Sequence, residues 1–158
     1  MLVNVFDKKT LQLMQCLWLC ALVGLLIVTM PLARAMAAPP VVLVLGDSLV
    51  AGHGLPQGRA FPDILRQKLM RDGIDVTMIN AGVSGDTTAG GRARLDWSLA
   101  ANPDAAIIVL GGNDLLRGLD PQASYDNLQA TITRLQDRGI KVLLAGMQAP
   151  RNLGADYA

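Results

Sequence analysis

From residue 39 onward the chain alternates between short apolar runs and longer stretches whose apolar residues recur at helical spacing. Residues 41–45 (VVLVL) are continuously apolar and end on Gly46, the pattern of a strand buried on both faces. Residues 61–70 place Phe61, Ile64, Leu65 and Leu69 on one side of a helix, with Pro62 in its first turn and Gly73 closing it. A second strand is predicted over 75–80 (DVTMIN), then a loop over 81–86 and a helix around 88–100, weakened by Gly90 and Gly91. Residues 105–110 (AAIIVL) predict a third strand, which runs into Gly111-Gly112-Asn113-Asp114. A helix over 121–137 carries Tyr125, Leu128, Ile132 and Leu135 on one face and ends at Gly139. Residues 141–145 (KVLLA) predict a fourth strand, and 146–158 read as loop.

Strands alternating with helices at this spacing imply an α/β domain with a parallel sheet and right-handed crossovers. In such sheets ligands bind beyond the C-terminal ends of the strands. Three small polar loops fall there: Gly46-Asp47-Ser48 after the first strand, Ser84-Gly85-Asp86 after the second and Gly112-Asn113-Asp114 after the third. Their convergence on one rim says more than any of them alone.

The first 38 residues have a different pattern. Lys8 and Lys9 precede an almost wholly apolar stretch over 11–30, and Ala33-Arg34-Ala35 and Ala35-Met36-Ala37 follow just before Pro39-Pro40. That order describes a secretory signal peptide over 1–38, with an uncleaved membrane anchor as the alternative. Export to the periplasm or the exterior is expected, with a domain over 39–158. Both cysteines, Cys16 and Cys20, lie in the leader, so the remainder has no disulfide to form.

Composition narrows the picture only a little. The 158 residues suffice for one domain, and a net charge of +1 gives no reason to expect nucleic acid or an anionic membrane as partner. Loss of Lys8, Lys9, Arg34 and Asp7 with the leader takes the net charge from +1 to −1. Every acidic residue is Asp, and His53 is the only histidine.

Ser48 stands where the first strand ends, with Gly46 two positions earlier permitting a sharp turn. Such a serine can be an exposed nucleophile. Asp and Ser are also preferred helix caps, and the tripeptide by itself favours the capping reading. A nucleotide loop is disfavoured, because no Gly-Lys-Ser/Thr follows and Gly46 is not part of a G-x-G-x-x-G pattern. Asn113 can donate its amide N–H to a developing oxyanion, although Gly-Gly-Asn-Asp also suits an ordinary turn. Gly85 can offer a backbone N–H or merely supply a left-handed turn.

Taken together, these segments resemble a known family. Gly46-Asp47-Ser48-Leu49, Asn80-Ala81-Gly82-Val83-Ser84-Gly85-Asp86-Thr87 and Gly111-Gly112-Asn113-Asp114-Leu115-Leu116-Arg117-Gly118 resemble blocks I, II and III of the SGNH/GDSL hydrolase superfamily. The wording around them is most similar to the bacterial periplasmic thioesterase I/protease I/lysophospholipase (arylesterase) group. The resemblance implies a flavodoxin-like three-layer sandwich with strand order 2-1-3-4-5. It implies Ser48 as nucleophile, an oxyanion hole from the Ser48 and Gly85 backbone and the Asn113 side chain, and Asp47 in support. It implies a monomer acting on a small-molecule or lipid acyl ester or thioester, with no metal or organic cofactor. The segment from Met147 to Asn152 resembles the loop that borders the acyl cleft in this group.

The family's fourth block, Asp-x-x-His, has no counterpart here, and only four of five strands are found. His53 lies on the same loop as Ser48, with nothing nearby in sequence to orient its ring; a solvated loop residue or a cleft-entrance residue is expected. Without a fifth strand, residues 141–145 are expected to form an exposed apolar edge, and a C-terminal truncation is the expected cause.

Overall fold

A computed structural model describes residues 38–148. The leader, with its basic residues, apolar stretch, cysteines and cleavage motifs, lies outside the described residues, as does the tail from residue 149. The elements are β1 (Val41–Gly46), α1 (Ser48–Ala51), α2 (Phe61–Arg71), β2 (Thr77–Gly82), α3 (Thr88–Ala93) and α4 (Leu95–Ser98). A 3₁₀ turn (Leu99–Ala101) leads to β3 (Ala105–Val109), α5 (Gly112–Leu116), α6 (Pro121–Gln136) and β4 (Lys141–Leu144). Among the described residues no helix is long and apolar enough to cross a membrane.

The four strands form one parallel sheet in the order β2-β1-β3-β4. This is the α/β arrangement expected from the sequence, with four strands among the described residues. Right-handed crossovers put α2 on one face of this order and α3 and α6 on the other, where α3 packs on α6. The core between sheet and helices includes Leu43, Leu45, Leu95, Leu99, Ile108 and Leu135, all essentially without solvent contact. The helix over 121–136 turns Leu128, Ile132 and Leu135 inward as its pattern predicts, whereas Tyr125 at its outer end is 61% exposed.

Register decides where the loops emerge. Gly46 pairs with Gly82 on one side and Val109 on the other, so β1, β2 and β3 end level with one another. The second strand is displaced from the predicted 75–80 to Thr77–Gly82, because pairing follows the full length of β1 rather than the apolar run. Its first amide donates to Pro40 O (2.9 Å), and the chain leaves the sheet only after Val83 N–H has bonded Gly46 O (3.0 Å). The helix expected around 88–100 is instead two short helices and a 3₁₀ turn, broken at Arg94 (φ −98°, ψ 5°). Two short helices complete the rim: α1, which the capping reading of Asp47 and Ser48 allowed, and α5, where the sequence suggested an ordinary turn.

Candidate active site

Ser48 is placed by the way β1 ends. Asp47 is the N-cap of α1, and its Oδ1 accepts the Leu49 N–H at 3.0 Å, so the capping reading holds for the aspartate. Ser48 is then the first helical residue, half-buried, with a backbone N–H that the helix cannot use. Its hydroxyl has no hydrogen-bond partner among the described residues. The helix lies tight against the sheet because two glycines make room. A Cβ on Gly46 would run into the Val50 side chain and stand 2.8 Å from Val109 O, and one on Gly82 would fall on the backbone of Ala51. Asn80 fastens the contact: its Nδ2 donates to Val50 O (3.0 Å), and its Oδ1 accepts the Gly82 N–H (2.9 Å).

The second and third loops lock onto this turn. Gly85 has φ +83°, a conformation that L side chains adopt at a cost, and its carbonyl accepts from Arg117 Nη2 at 2.6 Å. Its own N–H has no partner among the described residues. Asn113, the second residue of α5, donates Nδ2–H to Asp47 Oδ2 (3.0 Å) and to Asp86 O (2.9 Å). The amide therefore bridges the first loop to the second. Asp47 is 3% exposed, so its carboxylate depends on these donors for the solvation it has lost.

Several contributors carry no distinct signal in the sequence. Asp114, 4% exposed, accepts from the Thr88 N–H (2.9 Å), the Thr88 hydroxyl (2.6 Å) and the Ser124 hydroxyl (3.1 Å). It thereby ties α5 to the start of α3 and to α6. Arg94 pairs with Asp86 at 2.6 Å and also donates to Gly46 O at 3.0 Å. Gly90 is needed there, because a Cβ would meet the Asp86 carboxylate. Only the short, polar character of the segment after β2 hinted at such a network.

His53 is exposed and follows α1. Its backbone N–H donates to Ser48 O (3.1 Å), while its ring has no partner among the described residues. No group of three His, Cys or Asp side chains among the described residues is placed to hold a metal ion. An apolar groove of about 360 Å³ opens on the β4 side of the rim, lined by Leu110, Gly112, Leu115, Leu128, Leu144 and Met147 among others. It does not reach Ser48 or Gly85.

The profile of the GDSL-like Lipase/Acylhydrolase family matches residues 44–158, nearly three quarters of the chain. The chain belongs to that family. Within it, the chain is 41% identical over 128 residues to an arylesterase of Vibrio mimicus, covering 80% of this chain and 64% of the relative. It is 41% identical over 127 residues to the esterase TesA of Pseudomonas aeruginosa, covering 80% and 63%. Its fold superposes on the crystal structure of AlinE4, an SGNH-hydrolase family esterase, with a TM-score of 0.73 at 49% identity, covering 78% of this chain and 67% of that one. The chain thus spans just under two thirds of the length of those two curated relatives.

Proposed function

We propose that this chain is an exported serine esterase or thioesterase that acts through an acyl-Ser48 intermediate. Ser48 Oγ adds to the carbonyl carbon of an acyl ester or thioester, and its proton passes to a base. The alcohol or thiol then leaves, and water attacks acyl-Ser48 to release the acid. The observation that carries this reading is the unbonded Ser48 hydroxyl standing on the same rim as two unbonded backbone N–H groups, its own and that of Gly85. Those amides would receive the oxyanion. The Asn113 amide joins them only by releasing Asp47 or Asp86, which hold both of its hydrogens in the resting site. Asp47 supports the turn as cap and as acceptor for Asn113. Aryl esters are the substrate class to try first, from the name of the Vibrio mimicus relative, and acyl thioesters the second. The leader over 1–38 would direct the protein to the periplasm or the exterior, where a domain over 39–158 would work as a monomer.

A second reading is favoured by one observation. His53, the one histidine of the given sequence, is exposed and its ring is not oriented by any described residue. A protein of this fold without a base would bind acyl or glycan ligands without turning them over.

Incubation of the full chain with p-nitrophenyl butyrate separates the two. The esterase reading predicts p-nitrophenol release above the buffer blank, passing through butyryl-Ser48. Release should vanish in Ser48→Ala and persist in His53→Ala. Unchanged release in Ser48→Ala would refute the nucleophile assignment. Fast turnover lost in His53→Ala would make His53 the base, and binding without any release would favour the second reading.

A further inference from the structure

We propose that Arg94, which lies outside all three motifs, is a positioning residue that fixes the nucleophile turn relative to the Gly85 N–H. The proposal rests on Ser48 being the nucleophile. Its basis is a closed ring of hydrogen bonds. The Asp47 carboxylate accepts from Asn113, Asn113 donates onward to Asp86 O, the Asp86 carboxylate accepts from Arg94, and Arg94 donates to Gly46 O. Gly46 is covalently joined to Asp47, which closes the circuit. Ser48 and Gly85 each follow or precede a member of this ring in sequence, so the ring sets the separation of their free N–H groups.

Arg94 is the ring's cation and the link that side-chain chemistry constrains most. Two of its nitrogens serve two loops at once, Nε the Asp86 carboxylate at 2.6 Å and Nη2 the Gly46 carbonyl at 3.0 Å. A planar guanidinium can hold both, whereas a lysine ammonium is a single point and cannot reproduce the fork. The side chains of Arg94 and Asp86 are 20% and 13% exposed, so solvent screens the pair little. The helix breaks at Arg94 itself, and Gly90 clears the space beside Asp86. Gly46 O also accepts the Val83 N–H at 3.0 Å, which adds the start of the second loop to the same anchor.

The test is Arg94→Lys in the full chain, a variant that keeps a cation beside Asp86 and so favours retention of the fold. Two readouts are compared with wild type: the rate at which a fluorophosphonate labels Ser48, and deuterium uptake resolved by peptide. The expected result is labelling slower by about tenfold or more, with uptake faster by about tenfold in the peptides carrying Gly46–Ser48 and Gly85–Asp86. Uptake in α6 and β4 should stay at wild-type rates. Wild-type values in both readouts would overturn the proposal. So would faster uptake spread evenly over the chain, which marks a general structural ion pair. If wild type itself takes no label, the nucleophile reading fails. Uptake then decides the role of Arg94 alone: faster exchange confined to the two loops supports the linkage, and no local change overturns it.

Discussion

The rim above β1, β2 and β3 and the outer edge of β4 belong to one sheet but are finished in opposite ways. At the rim, three loops of polar residues satisfy one another. Asp47, Asn113, Asp86 and Arg94 share partners, and Asp114 takes three donors. No buried side-chain nitrogen or oxygen among the described residues lacks a partner. At β4, Leu143 and Leu144 are 61% and 43% exposed, and among the described residues no strand pairs with its outer side. The unbonded groups at the rim include the Ser48 hydroxyl and the backbone amides of Ser48 and Gly85, set close to side chains that are paired. Unbonded groups at β4 are those of any sheet edge, flanked by apolar side chains, which favours strand addition rather than chemistry.

Three substitutions sharpen this contrast. The largest effect is expected from Gly82→Val. A Cβ there would stand 2.7 Å from Ala51 Cα and fall on the Ala51 nitrogen, both backbone atoms that cannot rotate away. Driving α1 off β2 should cost about 3 kcal/mol in a urea melt. Next comes Asn113→Ala, which removes the bridge between Asp47 and Asp86 together with the side-chain donor proposed for the oxyanion. Acylation of Ser48 should slow by about a hundredfold, as for loss of one oxyanion donor, measured by stopped-flow release of p-nitrophenol. The smallest change in stability is expected from Leu143→Lys. At an exposed edge position it should shift stability by no more than about 0.5 kcal/mol. Concentration-dependent self-association, read by light scattering, should fall, since charged edges resist pairing. A loss of stability matching that of Gly82→Val would mean that β4 is packed and that the contrast is wrong.

The sheet was legible because strands and long helices carry periodic signals. The runs at 41–45, 105–110 and 141–145, and the helices at 61–70 and 121–137, lie within a residue or so of the observed elements. The spacing of glycine-bearing loops after strands placed Ser48, Gly85 and Asn113 on one rim. Less was readable in shorter pieces. The helices α1 and α5, of 4 and 5 residues, are too short for a period to register. The second strand was misplaced because its ends follow pairing with β1 rather than its own apolar run. The contacts of Arg94 and Asn80 were hidden for a related reason. Their partners Gly46 and Val50 are 48 and 30 positions away in sequence, and both are backbone carbonyls that any residue would offer. The break at Arg94 was hidden by the same distance, since the contacts that hold its side chain come from outside the predicted helix.

Ser48 is the group at this rim proposed to take up an acyl group or its phosphorus analogue. The direct measurement is to expose the full chain to a fluorophosphonate and locate the adduct by peptide mass spectrometry. A single adduct is expected on the peptide containing Ser48, and none in Ser48→Ala. An adduct on another residue, or equal labelling of Ser48→Ala, would contradict it.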